Sequence, residues 1–417
     1  MRGGLPHGWQ VLIASVVGAA ISPATLINVP FGLFIRALEQ EHHWPRAGIT
    51  AALSGFLGLL IVALPAAGWL VDRVGPRRVA LPSILGYGLA LALLPRNAGS
   101  TSMLALSYGC IAVLSAGAQS LTFVRALCAW FDRGRGLAIG ACMAGYGIGY
   151  LFVPPLTQWM IASWGWRGAY AGLGLLAVGV ALPVSALLLH DSPREPQASR
   201  EPQDSREPPA PREPRPSPTS LRAALRSREL WLLAGTFVLM SMALNGVQSQ
   251  LVPLLTDRGM SAAQAALMLS AIGVGSFPGR LLIGALLDRV FAPHLAMACF
   301  ATAAVALLWL VDGAGNTGIV LAAVTVGLSL GAENDILGYL TGRYFGLACF
   351  GRLYGLLLGA YLLGAAAGPY LMARAFAATG SYGPALQAGA AAIAVACTLQ
   401  LGMRRYARGE QVDARTG

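Results

Sequence analysis

Apolar residues fall in long unbroken runs along this chain, and charged residues gather in the short gaps between them. Runs of about 20 residues are what a helix needs to cross ~30 Å of hydrocarbon. Twelve spans are predicted, near 9–35, 47–71, 78–95, 102–129, 137–160, 167–190, 230–255, 262–287, 294–311, 317–342, 352–373 and 383–403. The punctuation also recurs. Gly68-Trp-Leu-Val-Asp72-Arg73 closes the second span, and Gly284-Ala-Leu-Leu-Asp288-Arg289 closes the eighth. Gly140 and Pro154 likewise match Gly355 and Pro369, about 215 residues further on. A half-length repeat in an apolar chain predicts an all-α integral membrane protein of two pseudo-symmetric six-helix bundles, with a site between them.

Composition sharpens this picture. Of 417 residues, 56% are hydrophobic and 11% charged, where a soluble domain carries about a quarter charged. The first span, with Arg2 ahead of it, is too long for a signal-peptide core, and its removal would break the repeat, so it is expected to stay. All 29 basic residues are arginine and the net charge is +11, but the arginines follow topology and leave no nucleic-acid footprint. With the N-terminus inside, Arg73, Arg77, Arg78, Arg133, Arg135, Arg289, Arg343, Arg352, Arg404, Arg405 and Arg408 lie in or beside inner connections. The outer loops hold Arg36, Arg46, Arg96, Arg167, Arg258 and Arg374. That excess predicts cytoplasmic N- and C-termini. The lack of lysine beside abundant Ala, Gly, Pro and Arg points to a GC-rich bacterial source, hence an inner (plasma) membrane. Six cysteines stand singly in apolar runs, without metal-ligand or disulfide spacing.

From Asp191 to about Ser220 the chain turns rich in Pro, Arg, Glu and Ser, and Arg-Glu-Pro recurs at Arg194, Arg200, Arg206 and Arg212. Proline at that density predicts an extended, solvated tether. The expected organisation is an N-terminal bundle at 1–190, a linker at 191–228 and a C-terminal bundle with a short tail at 229–417.

The loop Gly68-Trp-Leu-Val-Asp72-Arg73-Val-Gly75-Pro-Arg77-Arg78 resembles the signature loop of the major facilitator superfamily. The resemblance covers essentially the whole chain. The passages Arg125-x4-Trp130-Phe131-x3-Arg135-Gly136, Gly279-Arg280-x3-Gly284 and Gly331-Ala-Glu333-Asn-Asp335 are similar to bacterial members near the monocarboxylate porters and oxalate–formate exchangers. It implies a secondary active transporter that moves a small solute, an organic monocarboxylate, by alternating access. Proton coupling, with symport or antiport, is one form of this.

Read on its own chemistry, Asp72 ends a helix, Gly75 and Pro76 turn the chain, and Arg77 and Arg78 stay in water. Asp72, Arg73 and Arg77, with their echoes Asp288 and Arg289, are candidate gating residues; a plain topogenic loop is the alternative. Ionisable groups within spans are the other pointers, because an arginine or carboxylate at helix centre costs about 2.5–3.5 kcal/mol on insertion scales. Arg280 is the main substrate candidate, since its planar fork of donors fits a carboxylate; pairing within the protein is the alternative. Two departures from the monocarboxylate pattern put proton coupling through that site in doubt. The acid expected one turn before this arginine is Ser276, and the first-span lysine is replaced by Phe31.

Glu333 and Asp335 are candidate proton acceptors or ion-pair members, pointing ~200° apart on one helix. Glu333 is expected to face the site with Arg280 as its partner, and Asp335 to pair with a neighbouring helix. Arg125 either contacts substrate or reaches to the interface. Asn28, Gln119, Asn245, Gln248, Gln250 and Asn334 supply amides that act as ligands or as helix–helix glue. Tyr146 and Tyr361 can point hydroxyls into the path. Glycines in the fifth and eleventh spans predict close packing and a sliding interface between halves. Glu39, Glu41, His42 and His43 read as a solvated loop more readily than as a metal site. No phosphate-cradling, zinc-protease or nucleophile motif appears, so no cofactor, metal or enzymatic activity is expected. The partners expected are an anionic small molecule and membrane lipid, for a monomer that binds no nucleic acid. Efflux of a drug-like compound is the runner-up within transport, and a membrane sensor the alternative outside it.

Overall fold

A computed structural model of the chain describes residues 7–97, 99–131, 135–191, 224–287, 290–311, 315–345 and 350–403, all in helices and short connections with no strand among them. The first crossing, α1 (His7–His42), is interrupted. Its helical stretches His7–Ala20 and Phe31–His42 are separated by a π turn at Ala24–Asn28. Pro23 and Pro30 flank that turn, and neither has an N–H to offer the helical ladder. α2 (Arg46–Val74) and α3 (Pro76–Asn97) follow, meeting at Gly75, whose φ of 92° is one that side-chain-bearing residues avoid. α4 (Thr101–Trp130) tightens at Ala116–Ala118 and then extends through Gln119. α5 (135–164) and α6 (166–188) run on until the chain reverses at Gly165, φ 70° and ψ 174°.

The second half repeats the plan: α7 (Arg228–Asp257), α8 (Ala262–Leu287), α9 (Ala292–Val311), α10 (Asn316–Phe345), α11 (Phe350–Thr379) and α12 (Gly383–Leu401). Among the described residues, eleven stretches are long and apolar enough to cross a membrane. One of them, 52 residues long, turns back at Gly165, which makes twelve crossings. The chain is a multi-pass membrane protein with the helical content its hydropathy predicts.

Each half closes over its own apolar core. The first is built on Phe34, Phe56, Tyr87, Tyr108 and Tyr170, the second on Phe237, Leu244, Phe300 and Leu337. Val29 and Leu33 of α1 cross into the second core, and Leu362 and Ala365 of α11 cross into the first. The halves meet along two helix pairs, α5 against α8 and α11 against α2, while the second stretch of α1 rests on α7.

The glycine stripes correct one expectation. Gly145 and Gly149 of α5 lie against the Val16 and Ala20 carbonyls of α1, and Gly364 and Gly368 of α11 lie against the Val238 and Met242 carbonyls of α7. These glycines join helices within a half, where a β-carbon would collide with backbone. Cross-half contact uses Gly147 against Phe277 and Gly273 against Tyr150. The period-four pattern reports close approach and does not name the partner helix.

Candidate functional site

The loop at residues 72–78, together with His190 and Asp191 where the linker begins, marks one end of the bundle, here the linker end. The other is the far end. Between them Arg280 enters the boundary of the two halves from α8. It gets there through a close crossing of α8 and α10, where a side chain on Gly275, Gly327 or Gly331 would strike the Val324, Ile272 or Ser276 carbonyl. The same crossing sets Glu333 and Asp335 of α10 beside the site.

The Arg280 guanidinium lies 5.9 Å from the ring centroid of Tyr146 on α5. Its charge also reaches Tyr150 of α5, Tyr354 and Tyr361 of α11, and Asp335. Tyr146 and Tyr361 hold equivalent places in the two halves, about 215 residues apart. Among the described residues no carboxylate comes within ion-pair distance of Arg280, and its Nε has no hydrogen-bond partner. Gln248 stands beside Tyr150, and Asn245 beside Tyr361. Asn245 donates to the Ser241 carbonyl at 2.9 Å, leaving its side-chain oxygen to others, while Gln248 Oε1 and Asn28 Oδ1 have no partner.

The two carboxylates of α10 are placed differently from one another. Glu333 is fully buried, and neither of its oxygens has a hydrogen-bond partner, so the anticipated pair with Arg280 is not formed. Asp335, expected to pair with a neighbouring helix, is the acid lying in the field of Arg280. Helical rotation past the close crossing decides this: one acid turns into the protein and the other toward α8. The side chain of Asn334 lies outside the described residues.

Arg125 donates from Nε to Asp72 Oδ1 at 3.1 Å, which joins it to the loop at the linker end. There, Arg77 N–H donates to Asp191 Oδ1 at 3.1 Å, and Arg77 Nη2 to the Ala186 carbonyl at 2.7 Å. Arg73 stacks over Trp69 at 4.1 Å. Trp130 Nε1 donates to the His190 carbonyl at 2.9 Å, and the His190 ring meets Gln10 Oε1 at 3.0 Å. All of these ties stay within the first half. Asp288 and Arg289 lie outside the described residues.

At the far end the sequence missed a cluster altogether. Arg46, the first residue of α2 and 8% exposed, spreads its guanidinium between the halves. Nε lies 3.0 Å from both oxygens of Glu39, Nη2 donates to Asp257 Oδ1 at 2.9 Å, and Nη1 donates to Tyr382 Oη at 2.9 Å and also to Asp257 Oδ2. The Phe376 ring sits 4.4 Å from it. Arg36 adds a bond to Asp257 Oδ1 at 2.8 Å, and Tyr382 donates to Gln250 Oε1 at 3.2 Å. Gln250 thus acts as glue at this end. Glu41 accepts from Trp166 and Arg167, and His42 stacks on Trp44 at 4.4 Å.

Tyr150, Tyr354, Arg46 and Asp257 were not singled out from sequence. Tyrosine is too common in apolar spans to stand out. The available signal was the Arg46 and Asp257 charges sitting at helix ends, not within loops.

The profile of the Major Facilitator Superfamily matches residues 11–369. Monocarboxylate transporter 13 of Rattus norvegicus is 28% identical over 79% of this chain and 73% of its own length. The Bos taurus protein of that name is 28% identical over 44% of this chain, which spans only 40% of that relative. A crystal structure of the nucleoside transporter NupG, 12% identical, superposes with a TM-score of 0.74 over 96% of this chain and all of the other. With the profile covering most of the sequence and the two-bundle fold in place, the chain belongs to the Major Facilitator Superfamily and is a membrane transporter, not an enzyme.

Proposed function

We propose that this protein is a secondary transporter that moves a small organic carboxylate across a bacterial inner membrane by alternating access, with the linker end toward the cytoplasm. One observation carries the reading: Arg280 sits within a membrane-crossing helix at the boundary of the halves, without an ion-pair partner among the described residues. A guanidinium kept there against the cost of its insertion suits an anionic cargo, whose carboxylate takes the two-pronged bond that no acid supplies among the described residues. The relatives named monocarboxylate transporters support the same choice.

Asp335 tunes the guanidinium, and Glu333, buried without a counter-charge, serves as the group that takes up a proton during the cycle. Asp72, Arg125 and Arg77 act at the inner gate. Arg125 therefore works through the loop and leaves the substrate to Arg280. The cross-half ties of the far end hold this conformer shut to the outside. In proteoliposomes, Arg280→Ala is expected to abolish uptake of a labelled carboxylate, whereas Arg280→Lys keeps a residue of it. Full uptake by a correctly inserted Arg280→Ala protein overturns the reading.

A further inference from the structure

Two sets of tyrosines lie apart in this protein. Tyr87, Tyr108 and Tyr170 fill the first core: Tyr87 donates to the Ile21 carbonyl at 2.5 Å, and Tyr108 and Tyr170 bond each other at 2.8 Å. The second set surrounds Arg280, with Tyr150 beside Gln248 and Tyr361 beside Asn245. Tyr150, Tyr354 and Tyr361 are partly exposed, although they sit on membrane-crossing helices, and they come from both halves. Tyr146 completes the set, with its ring 5.9 Å from the guanidinium. Four phenol rings from opposite halves converge on one cation.

The amide beside Tyr150 has an acceptor to spare. Gln248, 3% exposed, keeps Oε1 without a partner among the described residues. A bare aliphatic acid would occupy Arg280 but would give this acceptor nothing and the rings little. A ligand fitting the whole set has three parts: an anion for the guanidinium, a flat body for the rings, and a hydrogen-bond donor for the amide oxygen.

We infer that the site selects a planar aromatic carboxylate bearing a hydroxyl or amino donor, with Tyr150 and Tyr354 reading the ring and Gln248 reading the donor. The inference rests on the carboxylate reading above and narrows it. Stacking contributes about two- to tenfold per ring, and an unmet acceptor removes a comparable factor when the donor is missing.

The test is binding of four probes to the purified full chain: 4-hydroxybenzoate, benzoate, cyclohexanecarboxylate and acetate. The expected order is that in which they are named, with roughly tenfold between benzoate and its saturated, non-planar counterpart. Tyr150→Leu and Tyr354→Leu should each collapse that ratio, while Tyr150→Phe and Tyr354→Phe keep it. Gln248→Leu should erase only the preference for 4-hydroxybenzoate over benzoate. Equal binding of benzoate and cyclohexanecarboxylate by the wild-type chain overturns the inference, as does an unchanged ratio in folded leucine variants. If acids bind and require Arg280 but show no ring preference, this inference alone fails. If none of the four binds, the carboxylate reading fails and takes this one with it.

Discussion

The two ends of the bundle are tied in opposite ways. At the far end one buried guanidinium, Arg46, is shared between Glu39 of its own half and Asp257 and Tyr382 of the other. At the linker end Arg125 holds Asp72 and Arg77 holds Asp191, all on the first half, and the Arg125–Asp72 pair is solvent-exposed. Charged bonds of similar length therefore carry different consequences. The cross-half cluster has to be broken for the halves to part, and breaking it leaves Arg46 with Glu39 alone. An exposed pair within one half can move as a unit with that half and is screened by water.

The largest effect should follow from cutting the far-end cluster. Asp257→Ala removes the shared acceptor of Arg46 and Arg36 and is expected to weaken the closed arrangement, by less than the ~3–5 kcal/mol of a fully stranded buried charge because Glu39 stays on Arg46. Pulsed-EPR distances between labels at Gln40 and Ala263 should then lengthen. If the distance distribution stays that of the wild type, the far end is held by packing and not by charge.

A smaller effect is expected at the other end. Asp72→Asn keeps the shape and removes the charge opposite Arg125; exposed pairs contribute about 0.2–1 kcal/mol. Transport should slow severalfold with the melting temperature unchanged. Wild-type transport rates in that variant would reduce the loop to a topogenic turn and widen the contrast between the ends.

The smallest effect concerns His190. Partial burial, then the neighbouring His7 and then Arg77, hold its imidazole below the ordinary value, against the pull of Asp191. A base whose affinity for protons is lowered on folding costs stability as pH drops below its unfolded value of about 6.5, because the unfolded chain gains the proton first. Melting measured from pH 7.5 to 5.5 should show a slightly steeper fall for the wild type than for His190→Asn. Identical slopes would mean that the linker-end ties are indifferent to that charge.

Much of the architecture was legible because it depends on sums over long windows. Spans of about 20 apolar residues, a Pro-rich break near the middle and a repeat of about 215 residues specify two bundles whatever the side chains do in detail. Arg280 was legible for a related reason, since a cation deep in an apolar run is costly wherever it points. Partnerships were another matter. Arg125 could have faced the central path but reaches Asp72. Glu333 was matched with Arg280, and the structure turns Asp335 toward it. The α5 and α11 glycines were expected to pack closely and to form the interface between halves. Gly145, Gly149, Gly364 and Gly368 do pack closely but on α1 and α7 within each half, while Gly359 faces Ile61 across the halves. Each outcome depends on a few tens of degrees of helix rotation, which hydropathy does not encode.

By itself, then, the sequence determined how many times the chain crosses and which charges lie within its spans, because burying backbone and apolar side chains in lipid fixes helix length and number. Only the tertiary structure decided which of those charges meet. It placed Arg46 between the halves, left Arg280 without an ion pair among the described residues and gathered four tyrosines around it, because contacts between helices distant in sequence arise from rotation and close approach and leave no periodic trace along the chain.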